Sequence, residues 1–234
     1  MNGDAEWLKV LASFDTPSVC NAIEVVQGRR GFSGFTREPL RCVNLAQKSL
    51  VGFARTAVIQ SAVPATESVE VIRRRRLDYF RYMADGPRPA IAVIQDLDSG
   101  GSLGAWWGEV NSYAHQNTCQ LSGALTNGSV RDLDDLAPGF GILASTTSPS
   151  HGFVHVKSFD DAVTVFGLRV EPNDLIHADQ HGALVVPAEV LPALGAALRT
   201  LVASESIVLD PLKAGPVSID QFERLWAAFE AART

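Results

Sequence analysis

The sequence predicts an α/β fold with helices at both ends of the chain, and three observations carry that prediction. Apolar, strand-like runs alternate with helical periodicity between residues 51 and 147, the stretch 153–187 holds only strand signals, and helical patterns sit before residue 28 and after residue 188. A length of 234 residues suits one large domain or one domain with an appendage, and 46% hydrophobic against 20% charged residues is enough apolar mass for a packed core.

The first helix begins at Thr16, a residue that can cap, with Pro17 in its first turn and Gly28 as its stop. Val19, Ala22, Ile23 and Val26 give it one apolar face. The glycine- and arginine-rich stretch 28–34 is a loop, and VGFARTAVIQ (51–60) is a strand by its β-branched and apolar content. Residues 66–84 follow a 3.6-residue period and predict a helix, while AIAVIQD (90–96) is the continuous apolar run of a strand buried on both faces. After the loop LDSGGSLGAW (97–106) a helix opens near Gly108, and LSGALTN (121–127) is the next strand. GSVRD (128–132) is expected to turn into a short helical piece before a strand at 141–147. Four strand segments follow, at 153–159, 162–170, 174–178 and 183–187, separated by Asp, Asn, Pro and Gly. Helices return at 188–203 and 217–232, the last with Ser218 and Gln221 at capping-box spacing. The stretch LDPLKAGPVS (209–218) reads as the internal joint, which divides the chain into a domain over 1–208 and a C-terminal helical arm over 209–234.

A formal net charge of −6 argues against a nucleic-acid partner. No uninterrupted apolar run reaches the roughly 18 residues of a membrane span, so no membrane partner is expected. The opening MNGDAEWLKV is acidic and polar where a secretory signal is basic and then apolar. Cys20, Cys42 and Cys119 are few and widely spaced, which fits a reducing compartment and not a disulfide scaffold. The expectation is a cytoplasmic protein.

Two segments could carry chemistry. WWGEVNS (106–112) opens a helix, whose unpaired N–H groups and partial positive charge can hold a carboxylate or phosphate. Gly108 allows close approach to the backbone there, and Glu109 either complements the helix dipole or faces a ligand. TNGSVRD (126–132) follows a buried strand at the carboxyl edge of a sheet, where α/β proteins bind ligands. Arg131 supplies a planar donor fork for a carboxylate, and Asp132 either caps a helix or offers a hard oxygen ligand to Mg²⁺.

Taken with NDLIHADQHGALVVP (173–187), the segments GEVN (108–111) and NGSVRD (127–132) form three ordered motifs. In these the chain resembles the RraA-like family, which includes class II pyruvate aldolases acting on 4-hydroxy-4-methyl-2-oxoglutarate and 4-carboxy-4-hydroxy-2-oxoadipate. The likeness runs from about Thr16 to about Glu205. It implies a three-layer swivelling β/β/α domain, in trimers or hexamers with sites between subunits. It also implies that the amides of Gly108, Glu109, Val110 and Asn111 hold the pyruvyl carboxylate of a 2-oxo acid. Arg131 would bind the keto and carboxylate oxygens and steady the enolate, Asp132 would hold Mg²⁺ or Mn²⁺, and Glu109 would position a catalytic water. Glu205 is the match to a late glutamate that a neighbouring subunit contributes. A metal and an arginine together stabilise enolate charge without a lysine Schiff base. Asn127 stands where the family often has Asp, which would remove a carboxylate near the site. Asn111 replaces a leucine, Asn21 an aspartate and Asn173 a glycine.

Other conspicuous residues take plainer readings. His177, Asp179 and His181 in HADQHG alternate like metal ligands on one strand face, but a hydrogen-bonded turn is the favoured reading. RRRR (73–76) spreads around a helix and reads as a solvated or subunit-contact face. Trp106 and Trp107 serve either as a site wall or as core, and Cys119 as core. The resemblance therefore implies a metal-dependent aldolase that releases pyruvate from a 4-hydroxy-2-oxo acid, with oxaloacetate decarboxylation at the same site. The alternative is a non-catalytic regulator that docks on a ribonuclease or another protein. A methyltransferase role is rejected, since no GxGxG cofactor loop follows a first strand.

Overall fold

The computed structural model describes residues 2–98 and 103–233, so Ser99–Ser102 of the glycine-rich loop lie outside the described residues. Two compact units are formed, one by Met1–Thr16 with Ser33–Ala188 and the other by Pro17–Phe32 with Glu189–Thr234.

The first unit is built on β1 (Arg41–Val43), β2 (Leu50–Gln60), β3 (Ala90–Asp96), β5 (Leu121–Thr126), β7 (Gly141–Ala144), β9 (His155–Phe159), β12 (Leu175–Asp179) and β13 (Gly182–Val186). They form one sheet in the order β1-β7-β5-β3-β2-β12-β13, with β9 also paired to β2. Strands β2, β3, β5 and β7 run parallel, joined by α3 (Val69–Ala84) and α4 (Glu109–Asn117), and the outer strands are antiparallel. Strand β3 shows why the apolar run had to be buried on both sides. Ile91 and Val93 join Leu125, Leu143 and the hairpin of β10 (Val163–Val165) and β11 (Leu168–Val170) on one face. Ala90, Ala92 and Ile94 meet Ala124, Ile142 and the α3 residues Tyr79 and Met83 on the other. Each large aliphatic side chain so enclosed contributes about 1.5–3 kcal/mol of transfer free energy. Hairpin, sheet and helices are thus the three β/β/α layers of an α/β fold.

Several expectations are corrected. Helix α3 begins at Val69 because Ser68 is its cap, its Oγ accepting from Val71 N at 3.4 Å. GSVRD is not helical: Ser129–Val130 form strand β6, and Asp132 turns the chain with φ 51°. The strand expected over 141–147 divides at Ser145, whose N–H and hydroxyl both bond Gly128 O, at 3.0 and 2.9 Å. Its second piece, β8 (Thr146–Thr147), joins β6 and β4 (Ala105–Trp107) in a small parallel sheet. Helix α1 (Asn2–Leu11) and the three-residue strands β1 and β4 had no sequence signal of their own.

The second unit consists of α2 (Thr16–Gln27), α5 (Leu191–Ala214) and α6 (Ile219–Arg233). Val19, Ala22 and Ile23 are fully buried, and α2 stops at Gly28 with φ 65°. The boundary expected at 208/209 falls inside α5, which runs through Pro211 to Ala214, and the break in the chain comes at Gly215. Ser218 Oγ then accepts from Gln221 N at 3.2 Å, as the capping-box spacing anticipated. By length and composition, the helical stretch Ala188–Ala214 would suffice to cross a membrane. Yet α5 buries Leu194, Ala197, Leu198, Leu201, Ser204 and Val208, the one-sided spacing of a helix packed against protein.

Candidate functional site

Strands β4 and β6 are parallel neighbours, with Trp107 opposite Val130, so the residues that follow them emerge side by side. Arg131 N donates to Trp107 O at 3.0 Å, and Glu109 N donates to Asp132 Oδ2 at 3.2 Å. The aspartate therefore caps α4, a helix 23 residues before it in sequence, and not one of its own. Arg131 Nε lies 3.4 Å from the same Oδ2. Gly108 leaves room for the Asp132 and Arg131 side chains beside it. A Cβ there would sit 2.5 Å from Asp132 Oδ2 and 3.1 Å from Arg131 Cγ. Within α4 the first intrahelical bond is Ser112 N to Gly108 O, which leaves the amides of Val110 and Asn111 without an acceptor inside the helix.

A buried brace holds this helix end. Asn111 Nδ2 donates to Trp106 O, and Ala137 N donates to Ser112 Oγ at 2.9 Å. His115 Nδ1 donates to Asn111 O at 2.6 Å, which fixes the tautomer so that Nε2 accepts from the Tyr79 hydroxyl at 2.7 Å. Trp107 packs on the imidazole at 4.7 Å. Burial pushes the His115 pKa down to about 4 and raises that of Tyr79. The sequence named no partner for His115; here it ties α3 to the first turn of α4.

A cavity of about 370 Å³ opens over these groups, and its lining includes Trp106, Gly108, Asn111 and Arg131 together with Arg76 and His151. Trp106 is thus a wall of the site, whereas Trp107 is core. Arg76 and His151 were not expected here, and nothing in the RRRR tract marks which of its four arginines reaches a cavity. A second cavity, of about 310 Å³, lies beside Leu8, Leu45, Leu50 and Pro89 and is mainly apolar, with Lys9 its one charged lining residue.

The remaining candidates lie elsewhere. Glu205 is half-buried on α5 in the second unit. Asn127 does not stand in for a site carboxylate. Its Oδ1 accepts from Asp96 N at 2.7 Å and its Nδ2 donates to Asp96 O at 3.1 Å, clamping the ends of β3 and β5. Asn173 adopts φ 69°, which accounts for its place at a glycine position, and accepts from the buried Arg55 at 3.1 Å. His177 Nε2 donates to Leu11 O at 3.2 Å and its Nδ1 accepts from the Thr16 hydroxyl at 3.0 Å, while Asp179 receives Thr16 N and His181 N. HADQHG is therefore a hydrogen-bonded turn, and Thr16 spends its hydroxyl on His177. Among the described residues no three His, Cys, Asp or Glu side chains form a metal cage. Asp132 suits a different kind of ion. Glu109 N and Arg131 Nε both meet its carboxylate at Oδ2, and the side chain is 35% exposed, as a carboxylate that holds a hydrated Mg²⁺ or Mn²⁺ must be.

Residues 16–185, the larger part of the chain, match the RraA-like family described as Aldolase/RraA. The chain belongs to the Aldolase/RraA family. Relatives in Burkholderia mallei (strain SAVP1) and Burkholderia pseudomallei (strain K96243), each named "Putative 4-hydroxy-4-methyl-2-oxoglutarate aldolase", are 38% identical over 93 residues. That match takes in 38% of this chain and 55% of the relative, so the chain spans about half the length of the relatives it matches. The fold is shared with an unusual member of the RNase ES inhibitor RraA family from Streptomyces coelicolor, at TM-score 0.66 and 18% identity over 86% of this chain and 94% of that one. An uncharacterized protein from Pseudomonas syringae pv. tomato gives TM-score 0.65 and 18% identity over 97% and 92%. A structure described as novel cellulases from gut-associated microbes gives 0.67 and 17% over 87% and 86%. At these identities the likeness carries the family's fold and not an activity.

Proposed function

We propose that the protein is a divalent-metal-dependent aldolase that cleaves a 4-hydroxy-2-oxo acid and releases pyruvate, with oxaloacetate decarboxylation at the same site. The observation that carries this reading is the parallel pairing of β4 with β6, which sets the free amides at the start of α4 beside Arg131 and Asp132. The amides of Val110 and Asn111 bind the pyruvyl carboxylate, with Gly108 and Glu109 completing the turn. The Arg131 fork binds the keto oxygen and takes up the negative charge that develops there as the C3–C4 bond breaks and the carbonyl product leaves. Arg131 thus stabilises the pyruvate enolate before a proton returns to C3. Glu109, exposed in the first turn of α4, positions the water that takes the 4-hydroxyl proton as the bond breaks and afterwards delivers a proton to C3. Asp132 would hold Mg²⁺ or Mn²⁺, which when bound supplies Lewis-acid polarisation of the keto oxygen. Glu205 would act from a neighbouring copy in a trimer or hexamer.

The test is pyruvate release from 4-hydroxy-4-methyl-2-oxoglutarate and from oxaloacetate, with Mg²⁺ or Mn²⁺ and again with EDTA. Release that the metal restores after EDTA supports the reading, and Arg131→Ala should abolish it while the fold survives. A folded protein that releases no pyruvate from either compound would overturn it and leave a non-catalytic, partner-binding role.

A further inference from the structure

The four arginines of the RRRR tract (73–76) in α3 differ in what they meet. Arg73 faces solvent, and Arg74 lies 3.9 Å from Asp78. Arg75 fastens the helix, pairing with Glu67 at 2.9 Å and donating to Val156 O of β9 at 3.2 Å. Arg76, one residue on, lines the same cavity as Arg131. Among the described residues no carboxylate pairs with Arg76, and the lining of the cavity includes Arg76, Arg131 and His151 but no Asp or Glu. One oxo-acid carboxylate on Arg131 and the α4 amides leaves the exposed Arg76 guanidinium without a counter-charge, at a cavity that Trp106 and Val154 also line.

We propose that Arg76 is a specificity-determining residue that binds a second carboxylate, the one on the far half of the substrate. The assignment rests on the aldolase reading for which half leaves, and the placement of Arg76 and Arg131 on one cavity suits a ligand with two anionic groups. Arg76 touches neither the keto oxygen nor the bond that breaks, so it sorts substrates without assisting cleavage. Oxo acids that end in a methyl group would still occupy the Arg131 end and forgo the second ion pair.

Calorimetric titration in Mg²⁺ compares 2-oxoglutarate with 2-oxobutyrate, which lacks the second carboxylate. The unaltered protein should bind 2-oxoglutarate at least about fivefold more tightly. Arg76→Gln should bring the two affinities together, and Arg76→Lys should recover part of the difference. In turnover, Arg76→Gln should lower kcat/KM for 4-hydroxy-2-oxoglutarate about fivefold and leave that for 4-hydroxy-2-oxopentanoate unchanged. Equal affinities in the unaltered protein, no binding of either acid, or a preference that survives Arg76→Gln would each overturn the assignment. A binding preference lost in Arg76→Gln, in a protein that releases no pyruvate, would uphold Arg76 as the second-anion residue and refute the aldolase reading instead.

Discussion

Lowering the pH from 7 to 5 should destabilise this protein through two buried histidines, and His115 lets the effect be separated. Free imidazole titrates near 6.5, whereas burial holds His115 and His177 at about 4. Both are neutral in the fold, and both already receive a hydrogen bond on the nitrogen that would have to take the proton, from Tyr79 and Thr16 respectively. Between pH 6.5 and 4 the unfolded chain therefore binds more protons than the folded one, so stability falls as pH falls through that window. At pH 5 each histidine accounts for about 2 kcal/mol, and the pair for about 4 kcal/mol. For a chain of this size that is a Tm drop of roughly 8–16 °C. The Glu67 carboxyl is held below its ordinary value, chiefly by its bond from Arg75. Urea unfolding at pH 7, 6 and 5 gives the slope directly, and His115→Gln should halve it whatever its effect on stability at pH 7. A change smaller than about 1 kcal/mol in the unaltered protein, or an unchanged slope in the variant, would refute the reasoning.

Three further outcomes follow from the site. Gly108→Ala places a methyl 2.5 Å from Asp132 Oδ2 and should displace that carboxylate, lowering kcat/KM for pyruvate release about a hundredfold while the circular dichroism spectrum stays unchanged. Asp132→Asn keeps an acceptor for Glu109 N and should melt within a few degrees of the unaltered protein, yet its activity should no longer respond to Mg²⁺ or EDTA; retained metal response would remove Asp132 from the metal site. Asn127→Ala removes the two bonds that its amide makes to Asp96 N and O and should cost about 2–3 kcal/mol in urea unfolding, with a loss under 0.5 kcal/mol counting against the clamp.

The core strands were legible because their burial is written in composition. AIAVIQD has no polar face, and a strand without one must be covered on both sides, which is how β3 lies. Ser218 and Gln221 likewise marked α6, since a cap is a local bond. Elements whose stability comes from a distant partner left no such trace. Ser129–Val130 looked like a helical turn and became a strand because Trp107 and Thr147 flank it in register. Pro211 looked like a joint, but loss of one backbone bond near its end does not stop α5.

For the site, the sequence by itself determined the residue types: a glycine before a helix, an arginine and an aspartate after a strand, and a family resemblance that the match over residues 16–185 bears out. Only the tertiary structure decided what those residues do to one another. It gave Asp132 to α4 as a cap, turned Asn127 into a clamp between strands, put His115 on Tyr79, and chose Arg76 from four neighbouring arginines to face the cavity. The physical reason is range. Periodicity and capping act over a few residues along the chain, whereas a guanidinium's neighbours across a cavity are set by how helices and strands far apart in sequence pack together.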